Sequence, residues 1–147
     1  MEIERKYLIK EMPQNLEDYP CRLLEQGYLN TSPVVRIRKD NDKYELTYKS
    51  KGLMVREEYN LPLTKDAYEH LKTKIDGRLI TKKRYMIPYN GYTIELDIFQ
   101  NDLSPLTLAE VEFPTAEEAN TFTPPAWFGE DVTMCGIYHN SALSKLE

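Results

Sequence analysis

The sequence is sparing with the residues that most often announce a site. Its 147 residues include two cysteines, two histidines and six glycines. Cys21 and Cys135 are too few for a disulfide framework and lack metal-finger spacing, so they read as free thiols in a reducing compartment. Neither His70 nor His139 stands in a nucleophile or metal motif. His70 reads as a helix surface residue and His139 as a cap-region residue. Positive charge is not in excess either: nineteen Lys and Arg against twenty-four Asp and Glu leave a net charge of −5, which excludes a non-specific nucleic-acid coat. No apolar run approaches the roughly 18 residues of a membrane span. The opening Met1-Glu2-Ile3-Glu4 is acidic where a signal peptide is basic and then apolar. The expectation is a cytoplasmic protein with no nucleic-acid and no membrane partner, either a monomer or a homodimer.

What is present fits one domain over 1–147, since 41% hydrophobic and 29% charged residues suffice for a single core. No internal repeat, low-complexity tract or linker divides it. The dominant period is two, the mark of strands. Residues 34–38, 44–49, 93–98 and 108–113 alternate cleanly, and 2–9, 22–29, 54–61 and 80–87 do so more weakly, giving about eight strands. Asn90-Gly91 is a hairpin signal and Asp40-Asn41-Asp42 a softer one. Helical spacing is confined to 64–75 after a Thr64 N-cap, to 115–122 with a Thr115/Glu118 capping box, and to a short turn over 140–146. The fold class is α+β, mostly antiparallel, with helices as covers.

The charged strand faces carry the functional information. Alternate residues of a strand share a face, so Glu2, Glu4 and Lys6 project together. Arg36 and Arg38, Lys82 and Arg84, and Glu110 and Glu112 do the same on three other strands. A solvated sheet face explains any one pair, but such a face gains most from opposite charges and has no need of all-acid and all-base strands. Turned inward in a barrel of about eight strands, the same faces would surround one small polar ligand. Carboxylates on neighbouring strands can converge on a hard divalent cation, and the remaining Lys and Arg match a polyanion of phosphates. Acids for metal plus bases for phosphate is the chemistry of metal-assisted phosphoryl transfer. The eleven tyrosines fall mostly on the apolar parity and read as packing, and Trp127 as a core or cover anchor.

Glu2-x-Glu4-x-Lys6 also resembles the signature of the CYTH superfamily, the triphosphate tunnel metalloenzymes. The resemblance continues in order through Gln26-Gly27-Tyr28-Leu29, Val35-Arg36-Ile37-Arg38, Leu46-Thr47-Tyr48-Lys49 and Arg56-Glu57-Glu58-Tyr59. It runs on through Lys82-Lys83-Arg84-Tyr85, Glu95-Leu96-Asp97 and Ala109-Glu110-Val111-Glu112-Phe113. It closes with Trp127-Phe128-Gly129-x-Asp131-Val132-Thr133 and Tyr138-x-Asn140. Two departures stand out: Glu57-Glu58 are adjacent acids where the family tends to alternate, and Asn60 is uncharged where small bacterial relatives often carry an acid.

The resemblance implies an eight-stranded antiparallel barrel forming a tunnel, with a triphosphate inside and Mg²⁺ or Mn²⁺ held by acids. Carried over residue by residue, it makes Glu2, Glu4 and Glu112 the principal metal ligands, with Glu110 and Asp97 as second candidates. Lys6, Arg36, Arg38, Lys49, Lys82 and Arg84 become the phosphate-binding set, joined by Arg56. Glu58, Asp97 or Glu110 would align the attacking water. The expected activity is metal-dependent hydrolysis of inorganic tripolyphosphate, possible also on nucleoside triphosphates. Adenylate cyclisation and thiamine triphosphate hydrolysis are the alternatives within the family, and a non-catalytic polyphosphate- or nucleotide-binding module is the alternative outside it.

Overall fold

The computed structural model describes residues 1–145, leaving the last residue of the expected 140–146 turn outside the described residues. The strands are β1 (Glu2–Ile9), β2 (Cys21–Thr31), β3 (Val34–Asp40), β4 (Lys43–Lys49), β5 (Val55–Arg56) and β6 (Glu58–Pro62), followed by β7 (Asp76–Tyr89), β8 (Tyr92–Phe99), β9 (Thr107–Glu112) and β10 (Phe128–Asp131). Among the described residues three α-helices cover them: α1 (Lys65–Lys72), α2 (Ala116–Thr121) and α3 (Asn140–Leu143).

All strand pairs are antiparallel, in the order β10-β1-β9-β8-β7-β2-β3-β4-β6, with β5 returning to β1. The expected strand 54–61 is therefore two pieces. β6 pairs with β4 and β5 with β1, and the break at Glu57 is where the chain crosses the gap and closes the barrel. Ser50 fixes that crossing, its N–H donating to Glu57 O at 3.0 Å and its Oγ accepting from Glu57 N at 2.9 Å. β10 is a strand the alternation did not announce. It takes the edge of β1 that β5 leaves free, at Tyr7 and Ile9, so eight strands make the wall and a short extra one overlaps it.

The turns form as their residues dictate. Asn90 and Gly91 both take positive φ, 47° and 82°, the two-residue turn whose twist suits a hairpin. Thr64 Oγ1 caps α1 by accepting from Ala67 N, and Thr115 Oγ1 caps α2 by accepting from Glu118 N, both at 3.1 Å. α1 stops three residues before the expected end, because Thr73 N and Lys74 N turn to the carbonyls three residues back.

With charges inside the barrel, the apolar core moves to its outer wall. Ile3, Tyr7, Ile94, Leu96, Val111 and Phe113 point outward and are buried, with Ala119 of α2 and Phe128 of β10, and Trp127 packs against that cluster. The inward face is itself divided. Tyr28, Val34, Ile80, Phe99 and Leu108 share parity with the charged residues but bury against Val132 and Leu143 of the C-terminal segment. One stretch of the interior is thus an apolar plug and the rest is ionic.

Candidate active site

The ionic stretch encloses a cavity of about 250 Å³. Every expected site residue lines it except Lys82 and Asp97. The strand parity read from sequence places them there: β1 contributes Glu2, Glu4 and Lys6, β3 Arg36 and Arg38, β9 Glu110 and Glu112, and β7 Arg84. β4 contributes Lys49, and Arg56 and Glu58 come from the segment that closes the wall.

The acids fall into two cross-strand pairs that differ in their counterions. Glu95 and Glu110 are direct partners across β8 and β9, and Arg84 lies 3.2 Å from a carboxylate oxygen of each. Lys6 Nζ reaches Glu110 as well, at 3.0 Å. Glu4 and Glu112 are likewise direct partners, across β1 and β9, with Glu2 two residues along the same face. Here the facing pair has no close cation: Arg56 Nη2 is 3.9 Å from Glu4 and Glu112 forms no ion pair among the described residues, whereas Glu2 is held by Lys49 Nζ at 2.9 Å.

Facing like charges cost stability unless a cation separates them. Accordingly, burial and the neighbouring Glu4 push Glu2 up to about 8, against the pull of Lys49. Burial and Glu110 raise Glu4, while burial, Glu58 and Glu95 raise Glu112. In contrast, burial is outweighed at Glu110 by Lys6, Lys82 and Arg84, which hold it well below the usual range.

An all-oxygen donor set in which Glu4 and Glu112 face each other without a tight counterion fits a hard divalent cation. Among the described residues no three such groups are already gathered as a closed cage.

The bases include donors that no carboxylate neutralises. Arg38 donates from Nε at 2.9 Å and Nη2 at 2.6 Å to the neutral Gln26 Oε1. Burial and the adjacent Arg36 and Arg84 disfavour its charge. Arg36 donates to Thr47 Oγ1 at 3.1 Å, and its Nε is buried without an acceptor. Neither guanidinium forms an ion pair among the described residues, so both keep charge and donors for an anion. Lys49 is committed in part, 2.9 Å from Glu2 and 3.5 Å from Glu58. Burial pushes Glu58 up, but hydrogen bonds with Glu2 and Asn60 and the charge of Lys49 bring it down to about 2.

Lys82 and Asp97 share the inward parity but do not line the cavity, and both are almost fully removed from solvent. Arg84 binds both oxygens of Asp97, and Lys82 Nζ adds a contact at 2.6 Å. The other side of Lys82 is held by Asn140 Oδ1 at 3.0 Å.

Several lining residues carried no expectation. Arg22, Tyr28, Glu45 and Glu95 enter by parity with neighbours already singled out, which was the available signal. His139, at the N-terminus of α3, is buried and lines the cavity; local sequence gave no sign of this, because the C-terminal segment reaches it only in three dimensions. His70 is exposed on α1, as its helical position implied.

The comparisons with known proteins agree with this geometry. A curated inorganic triphosphatase of Nitrosomonas europaea is 42% identical over 149 residues, covering 97% of this chain and 96% of that protein. Another, from Acetivibrio thermocellus, is 34% identical over 154 residues, covering 98% and 93%. A crystal structure of an inorganic triphosphatase superposes with a TM-score of 0.74 at 37% identity, covering 100% of this chain and 96% of that one. The family model described as the CYTH domain matches residues 1–146. With an N-terminal Glu-x-Glu-x-Lys strand set into a closed antiparallel barrel of acids and bases, the chain belongs to the CYTH domain family.

Proposed function

We propose that this chain hydrolyses a linear inorganic triphosphate inside its barrel, with Mg²⁺ or Mn²⁺ held by Glu2, Glu4 and Glu112. The observation that carries the reading is the inequality of the two acid pairs: Arg84 bridges Glu95 and Glu110, whereas Glu4 and Glu112 face each other with no comparable cation. Such a cation would draw negative charge from the phosphoryl oxygens during transfer.

The chain's own groups do the rest. Arg36 and Arg38, free of carboxylates, grip phosphoryl oxygens through paired donors. Lys6 and Arg84, already oriented by Glu110, present fixed positive charge to the oxygen that leaves with pyrophosphate. Lys49 and Arg56 do the same at the Glu2 end. Asp97 and Lys82 act through Arg84, keeping it in register.

Water attacks the terminal phosphorus, the bond to the bridging oxygen breaks, and orthophosphate and pyrophosphate leave. Glu58 is ionised and half-buried beside Glu2, and it accepts a hydrogen bond from that water. Little covalent work falls to the protein in such a transfer, which rests on positioning and charge.

Phosphate release from tripolyphosphate, ATP and thiamine triphosphate, each with Mg²⁺, Mn²⁺ and EDTA, tests the reading. Tripolyphosphate should be cleaved fastest and EDTA should stop it. Tight binding without turnover under every metal would replace the enzyme with a binding module, and cyclic AMP with pyrophosphate would replace it with a cyclase. Glu58→Gln should lower kcat with KM nearly unchanged, and wild-type kcat would remove Glu58 from the water.

A further inference from the structure

Among the described residues, three hollows share lining residues with the ionic cavity, and they differ in charge. One lies between the β2–β3 turn, the loop after β4 and the C-terminal segment, and forms a chamber of about 450 Å³. It shares Val34, Arg56, His139 and Ser141 with the cavity. Its charged residues are Lys51 and Arg56, and Thr31, Ser32 and Ser50 add hydroxyls; among the described residues no carboxylate lines it. A second hollow, at the β3–β4 turn, shares Arg38, Asp40 and Glu45 with the cavity and adds Asp42 and Lys43, so its acids outnumber its bases. A third, beside the β7–β8 hairpin, shares Glu95 and Glu112 and adds Glu118, with no Lys or Arg.

A phosphate polyanion carries several negative charges, and carboxylates at a narrow rim repel it while a basic rim with low-dielectric walls concentrates it. The hydroxyls of the chamber can donate to phosphoryl oxygens as it passes. We infer that the acid-free chamber is the anion portal of the barrel, the site where an incoming inorganic polyphosphate is first held before it moves in to Arg36 and Arg38. The acid-lined hollows serve it poorly, and the one at Glu95 and Glu112 suits cations. The portal rests on the triphosphate reading of the cavity and adds a direction of entry to it.

Charge placed at each rim tests this. Lys51 and Leu53 are exposed at the chamber, and Lys43 is exposed at the second hollow, so substitution there spares the packed wall. Lys51→Glu and Leu53→Glu should lower kcat/KM for tripolyphosphate about tenfold at low salt with kcat unchanged, the loss shrinking as salt screens the rim. Lys43→Glu changes net charge as much as Lys51→Glu but should leave kcat/KM within about twofold. Equal losses in Lys43→Glu and Lys51→Glu, or no loss in either chamber variant, would overturn the portal.

If the wild-type protein turns over no tripolyphosphate, the triphosphatase reading fails by itself. The portal is then decided by the association rate of tripolyphosphate in kinetic titration calorimetry. Slower association in the two chamber variants alone upholds it, and equal rates or absent binding sink it.

Discussion

Arg84 and Asp97 face each other across the β7–β8 ladder and are joined twice, Nε to Oδ1 at 2.7 Å and Nη2 to Oδ2 at 2.9 Å. Lys82 adds a third contact to the same carboxylate, so one buried anion serves two buried cations. Asp97→Asn should therefore cost about 3 kcal/mol in urea denaturation, because it takes the charge partner from buried Lys82 and leaves Arg84 only Glu95 and Glu110. Adding Lys82→Met should recover part of the loss. Wild-type stability in Asp97→Asn would show that the carboxylate is not what holds Arg84.

Glu4→Gln removes one of two facing acids that repel each other. The metal-free variant should be as stable as wild type or more so, while turnover falls at least about a hundredfold. Mn²⁺ should raise the melting temperature of the wild-type protein and not of the variant, since a ligand stabilises only the fold that binds it. Equal shifts in the two proteins would place the metal elsewhere.

Arg38 is held by an amide and not by an acid, so Arg38→Ala strips a phosphate donor without exposing a buried anion. KM for tripolyphosphate should rise about tenfold or more, with the fold intact by circular dichroism. Unchanged KM and kcat together would count against contact with substrate.

His139 sets a pH dependence of stability. Burial, then the charges of Lys6 and Arg56, pull it from 6.5 down to about 4; Glu110 and the Thr133 carbonyl oppose this. Its folded pKa lies below the unfolded one, so between about 6.5 and 4 the unfolded chain binds more protons and stability falls as pH falls. Below about 4 this contribution is fully lost. His139→Gln should flatten that part of the urea-midpoint profile from pH 7 to pH 4. An identical slope in the variant would assign it to other groups.

The site was legible where it depended on strand parity. Glu2, Glu4 and Lys6 share a face in any strand, and so do Arg36 with Arg38 and Glu110 with Glu112, whatever the strands pair with. The barrel was legible through strand number and that segregation of charge. Three things were not. The break at Glu57 left only the irregular Glu57-Glu58 in the sequence, because its purpose is to let one segment pair with β1 and then β4. β10 offers four residues without clean alternation and becomes a strand through the edge of β1. His139 joins the cavity because the C-terminal segment folds back, with Tyr138 O accepting from Lys6 Nζ at 3.1 Å.

The sequence by itself determined which residues face inward and that acids and bases are sorted by strand, because side chains alternate with a fixed period of two. Its few cysteines and histidines directed the expectation toward carboxylates and bases. Tertiary structure decided which acid meets which base. Register put Arg84 between Glu95 and Glu110 and put Glu4 opposite Glu112 without such a bridge. Coulomb energy depends on distances of a few ångströms across strands, and those are set by pairing between residues far apart in the chain.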